Sequence, residues 1–100
     1  MGIIDNISKL FESRLRLGIM AILMVNEKVD FNTLKEHLGA SDGNLASHIK
    51  ALEKNELIEV HKQFVGRKPQ TTYKATQLGR LSFQKHIDGL NKLIKGMNSE

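Results

Sequence analysis

The chain has 100 residues, 40% of them hydrophobic, no cysteine, and a formal net charge of +4 with a pI of about 9.5. That length supports one domain, residues 1–100, which buries a modest share of its surface and gains from oligomerisation. Without cysteine there are no disulfides, thiolate nucleophiles, thiol redox sensors or cysteine-based zinc sites. The opening Met1-Gly2-Ile3-Ile4-Asp5 has no basic segment before a long apolar run, so no signal peptide is expected. The longest apolar run, Ile19–Val25, is too short to cross a bilayer. A cytoplasmic protein without membrane contact is the expectation.

Taken in order, Ile3, Ile4, Ile7, Leu10 and Phe11 repeat at helical spacing and predict an N-terminal helix over about 1–12. Ser13 suits the N-cap of a new helix from Arg14, with Leu15, Ile19, Ile22 and Leu23 on its buried face. So apolar a helix belongs at the centre of the domain. Val29 fits a strand stub, and Asp30 an N-cap.

From Phe31 to Lys54 the pattern is two short amphipathic helices and a tight turn. Phe31, Leu34 and Leu38 line one face of the first; Leu45, Ile49 and Leu52 line one face of the second. Gly39 sits where a helix C-terminus favours positive φ, and Ser41 where the next helix needs an N-cap. Residues 31–54 therefore read as a helix-turn-helix. Its second helix leaves Gly43, Asn44, Ser47, Lys50 and Lys54 on the outward face.

The period then changes to two. Ile58, Val60 and Phe64 share one side of a strand over 57–65, and Glu59, His61 and Gln63 the other. Gly66–Gln70 reads as a loop with Pro69 at its tip, since proline cannot donate to a ladder. Thr71–Thr76 is a second strand, with Tyr73 and Ala75 inward, so 57–76 forms an antiparallel hairpin. Thr76 caps a last helix over about 77–97, whose stripe of Phe83, Ile87, Leu90, Ile94 and Met97 alternates steps of four and three. A small core cannot easily bury so long a stripe, and a second subunit would. The fold class is α+β, mainly α: a winged helix-turn-helix with a two-stranded wing and terminal dimerisation helices.

The chain resembles the small single-domain winged-helix regulators of bacteria and archaea near the MarR and ArsR groups. The resemblance spans about Ser13 to Arg80 and rests on five pieces in order. They are Ser13-Arg-Leu-Arg-Leu-Gly-Ile-Met-Ala-Ile-Leu, Val29-Asp-Phe-Asn-Thr-Leu-Lys-Glu-His-Leu-Gly, Ser41-Asp-Gly-Asn-Leu-Ala-Ser-His-Ile-Lys-Ala-Leu-Glu, Gly66-Arg-Lys-Pro-Gln-Thr-Thr-Tyr and Thr76-Gln-Leu-Gly. It implies a dimeric, sequence-specific, DNA-binding transcription regulator. Where MarR wings usually carry Asp-x-Arg, this one has Gly66-Arg67-Lys68-Pro69, so no MarR ligand pocket is carried over. ArsR metal sites are not carried over either, for want of cysteine.

Between Val60 and Ile87 there is no Asp or Glu, while Lys62, Arg67, Lys68, Lys74, Arg80 and Lys85 lie there. Such a field draws anions, although a solvated charged face is the bland alternative. In a helix-turn-helix the second helix enters the major groove, where base edges show a distinct donor–acceptor pattern. The candidates there are Ser41, Gly43, Asn44, Ser47, His48 and Lys50. Asn44 can bond an adenine edge, and its competing role is plain helix surface. His48 lies at the edge of the core face, and a packed or phosphate-facing role suits it better than base reading. Asp42 suits a helix N-terminus and would repel phosphate. On the wing, Arg67 and Lys68 can reach the minor groove or flanking phosphates. Asn32 and Thr33 could hold a phosphate by backbone N–H groups. Thr71 and Lys74 are further phosphate candidates.

Catalysis finds no support. His37, His48, His61 and His86 form no HxxxH pair, and no glycine-rich phosphate loop or nucleophile motif occurs. No cofactor or metal is expected. The expected partners are double-stranded DNA and a second copy of the chain, paired through Ile3, Ile4, Ile7, Leu10 and Phe11 and through Phe83, Ile87, Leu90, Ile94 and Met97. A near-palindromic operator and repression follow most simply; a small-molecule effector is left open. The alternative is a winged-helix protein-interaction module in a larger assembly.

Overall fold

The computed structural model describes residues 9–98. Lys9–Glu12 forms a 3₁₀ turn, followed by α1 (Arg14–Met24), β1 (Val29–Asp30), α2 (Phe31–Leu38), α3 (Asp42–Lys54), β2 (Ile58–Val65), β3 (Lys68–Ala75) and α4 (Gln77–Asn98). The expected winged helix-turn-helix is present. Of the expected N-terminal dimerisation helix, Ile3, Ile4 and Ile7 lie outside the described residues, as does the Met97 side chain, and the described part, Lys9–Glu12, is a 3₁₀ turn.

Helix boundaries follow the capping chemistry. The Ser13 side chain accepts from the Arg16 N–H, the Asp30 side chain from Thr33 and the Ser41 side chain from Asn44, each satisfying a donor that the first helical turn leaves orphaned. Gly39 ends α2 in the left-handed region at φ 59. The turn to α3 is accordingly short, and the two helices present different faces to one core.

That core is built on α1. Ile19, Met20 and Leu23 are fully buried together with Leu34 of α2 and Leu45 and Leu52 of α3. Each such side chain contributes on the order of 1.5–3 kcal/mol through removal from water. The sheet closes one side in the order β1-β3-β2, all antiparallel. β1 is only two residues long, yet it makes β3 the central strand, with Val29 opposite Tyr73. Arg80 of α4 donates to the carbonyls of Met24 and Leu23 at 3.3 and 3.5 Å, so a cation sits at the negative end of α1. This removes Arg80 from the expected basic field.

Two readings of the hairpin need correction. β3 begins at Lys68, so the turn is only Gly66-Arg67, and Pro69 lies within the strand opposite Phe64 rather than at the tip. Gly66 has φ +67 and Arg67 has no positive φ, the sign pattern of a II′ turn, which suits strand twist. Phe64 does share a face with Ile58 and Val60 but is 74% exposed, whereas Ile58 is 3% exposed. The hairpin extends beyond the helices that cover its base.

Part of the terminal stripe serves the protomer's own core. Phe11 is 2% exposed, set edge-on to Phe83 at a centroid distance of 5.7 Å and to His86 at 5.3 Å. Phe11 therefore has almost no surface left for a partner subunit, which corrects its place in the expected interface. Burial lowers the His86 pKa, against a smaller raising effect of Glu12. Further along α4, Ile87 and Leu90 are half-buried, and Leu93 and Ile94 are exposed.

Candidate nucleic-acid interface

α3 is held down by Leu45, Ile49 and Leu52, all buried. With 3.6 residues per turn, that anchoring turns Gly43, Ser47, Lys50 and Lys54 outward with Asn44 beside them, and all five are exposed. Ser41 accepts from the Asn44 N–H at 3.2 Å, so its oxygen starts the helix and its hydroxyl proton stays available to an acceptor. No side chain or backbone atom lies within 4 Å of where a Gly43 Cβ would stand, which leaves an open surface at the first turn.

Asp42 is tied to Lys35 of α2 at 2.8 Å. Exposed as it is, the pair adds little to stability, but it offsets the one carboxylate at the start of α3 and spans the turn. His48 is half-buried with Nδ1 3.0 Å from Arg16 Nη1. Guanidinium only donates, so Nδ1 accepts and the ring proton sits on Nε2. Arg16 also donates from Nε to the Leu10 carbonyl at 2.6 Å. His48 is thereby a link from α1 to α3, set apart from the outward face of the helix. Arg16 was not anticipated. The available signal was two arginines, Arg14 and Arg16, in a first helical turn where cations oppose the dipole.

Thr33 needs correction as a phosphate holder. Its N–H and its hydroxyl both go to the Asp30 carboxylate, at 3.4 and 2.5 Å. These bonds lower the Asp30 pKa, the Thr33 hydroxyl contributing most. A negative charge already occupies that helix end. Neighbouring Asn32 is exposed.

The wing presents its charges along two strands. Arg67 stands in the turn, and Lys68 pairs with Val65 next to it. Lys62 lies opposite half-buried Thr71, and Lys74 lies opposite Glu59, which offsets it. Lys62, Arg67 and Lys68 are exposed. Glu59 is also 3.1 Å from His61 Nε2, so the acidic residues gather at the base of the hairpin and the cations toward its end. Among the described residues no group of three or more His, Asp or Glu side chains is placed to share a metal ion.

This arrangement, a capped and anchored helix with a polar outer face beside a cationic two-stranded wing, defines a class. Residues 15–94 match the family model described as the winged helix DNA-binding domain. The chain belongs to that family. It is 37% identical over 89 residues to an uncharacterised protein of Methanocaldococcus jannaschii, covering 89% of this chain and 97% of that one. The solved structure of a transcriptional regulator homologue protein from Pyrococcus horikoshii OT3 superposes with a TM-score of 0.83 at 31% identity, over 90% of this chain and 89% of that one. The solved structure of a MarR-family protein from Porphyromonas gingivalis W83 shares the fold with a TM-score of 0.67 at 22% identity, over 92% and 86% of the two chains. The resemblance to small winged-helix regulators therefore holds for family and fold. No helix among the described residues is long and apolar enough to cross a membrane.

Proposed function

We infer that the protein is a transcription regulator that binds duplex DNA as a homodimer and represses by occluding a promoter. The observation that carries this reading is the exposed face of Asn44, Ser47 and Lys50 on a helix locked by Leu45, Ile49 and Leu52. Such a face fits a major groove, with base discrimination falling to Asn44 and Ser47 and phosphate neutralisation to Lys50, Arg67 and Lys68. The dimer forms through Ile87, Leu90, Leu93 and Ile94, which leave apolar surface uncovered on one side of α4. Two recognition helices then enter successive major grooves roughly 34 Å apart, which calls for a near-palindromic operator. Titration with duplex DNA at several salt concentrations tests the reading. Affinity should fall steeply with salt as counterions are released, and no binding at low salt would refute it. In sedimentation, Ile94→Asp should convert the dimer to a monomer; an unaltered dimer would reject the α4 contact.

A further inference from the structure

The apolar surface at the end of the wing has no use within the protomer. Phe64 is 74% exposed and Val65 57% exposed. Phe64 stands directly across from Pro69, itself exposed, so a phenyl ring and a pyrrolidine ring share one face two residues from the turn. Further down the same face come Lys62 and Thr71, then half-buried Val60 paired with buried Tyr73, both packed against the core. The apolar pair is therefore the outward continuation of the helix-covered face, set off from the core by a lysine. Cations flank it, with Lys62 behind it on the same face, Arg67 in the turn, and Lys68 next to Pro69 in the chain but on the other face of the ladder. No Asp or Glu lies between Val60 and Ile87.

Charge complementarity selects the occupant. A protein partner fitted to a bare apolar tip would not require flanking cations without any acid, whereas a polyanion with an apolar interior does. The minor groove of duplex DNA has that character: phosphates line its rims, and sugar edges and base steps form its floor. An apolar side chain pressed into it unstacks a base step, and the cost depends on how easily that step deforms.

We propose that Phe64, backed by Pro69, is a minor-groove wedge, and that the wing reads DNA deformability while Arg67 and Lys68 hold the flanking phosphates. The inference rests on the DNA-binding reading above. It makes Phe64 a specificity-determining residue at positions where no base edge is read. Flexible TA steps are favoured, and stiff A-tracts are disfavoured.

The experiment compares two duplexes of equal length and A·T content, one containing repeated TA steps and the other an uninterrupted A-tract, each with 2-aminopurine in place of one adenine. Wild-type protein should prefer the TA duplex by roughly tenfold and raise its 2-aminopurine fluorescence through unstacking. Phe64→Ala should bind both duplexes alike without the fluorescence rise, and Phe64→Leu should keep part of both effects. The double change Arg67→Ala, Lys68→Ala should weaken both duplexes equally and preserve the preference. A wild-type protein that binds neither duplex refutes the underlying DNA reading. Binding with a preference that Phe64→Ala leaves intact overturns the wedge alone. Loss of the dimer in Phe64→Ala by sedimentation would also overturn it, assigning the ring to a protein contact.

Discussion

α3 and the wing are two exposed surfaces of one small domain, and they are held in place by opposite means. α3 is fixed from beneath: three buried side chains, the Ser41 cap, the Lys35–Asp42 ion pair across the turn and the Arg16–His48 bond from α1 leave it one orientation. Its outer residues Gly43, Asn44 and Ser47 are short and uncharged, with Lys50 and Lys54 further along the helix. The wing beyond its covered base is fixed only by the ladder between β2 and β3, and every residue from His61 to Pro69 is exposed. Its outer residues are long cations and a bare aromatic ring. Precision in the first comes from packing, which is what the proposed discrimination between base edges that differ by a single donor requires. Reach in the second comes from freedom from packing, which suits phosphates and groove shape.

The difference can be tested by substitutions on both sides, beginning with the largest effect. Leu52→Ala removes a fully buried anchor of α3 and should cost about 2–5 kcal/mol of stability in urea unfolding. Phe64→Ala in the wing should change stability by no more than about 0.5 kcal/mol in the same assay, because its ring is already in water. Similar losses in the two variants would show that the wing belongs to the folding unit as fully as α3 does.

Next in size is the electrostatic share of binding. Removing Arg67 and Lys68 together should lower DNA affinity at least about tenfold and flatten the log–log salt slope by about 2, with no loss of stability. An unchanged slope would place the phosphate contacts elsewhere, with Lys50 and Lys54 the first alternatives. A smaller effect is expected at the cap. Ser41→Ala leaves the Asn44 N–H unpaired and should cost about 1 kcal/mol, with a parallel loss in operator discrimination as the first turn of α3 loosens.

The smallest effect is visible only against pH. The Thr33 bonds hold the Asp30 carboxyl below its ordinary 3.8, so the ionised form is favoured in the folded state. The stability this contributes is complete above 3.8 and is lost as pH falls through the lower folded value. Asp30→Ala should therefore cost roughly 0.5–1 kcal/mol near neutral pH, and the gap to wild type should close as the solution is acidified. A gap independent of pH would mean that the carboxylate charge plays no part in the cap.

Local chemistry made much of this legible in the chain. The caps Ser13, Asp30, Ser41 and Thr76 and the left-handed Gly39 are short-range features, decided by neighbours within four residues, and each is found as expected; of the face expected to be buried in α1, Ile19 and Leu23 are buried, while Leu15 and Ile22 are half-buried and Met20 is buried in their place. The winged helix-turn-helix follows from their order. Lys62 on the Ile58–Val60–Phe64 face was a legible sign that the hairpin leaves the core, but alternation alone did not weigh it.

What the tertiary structure decided concerns residues whose partners are distant in the chain. His48 is paired by Arg16, thirty-two residues away, and Arg80 is spent on carbonyls fifty-six and fifty-seven residues back. Phe11 is enclosed by Phe83 and His86, and the Thr33 donors are already taken by Asp30. Sequence period states which side of an element is apolar. It does not state where the covering element stops, and that boundary separates buried Ile58 from exposed Phe64 on one face of one strand. Burial is a property of the assembled layers, because the free energy of removing a side chain from water depends on what lies over it. The sequence by itself determined the elements, their order and the cations of the wing. Which of its charged and apolar side chains remain free to meet another molecule was settled only when the helices closed over the base of the sheet and left its end uncovered.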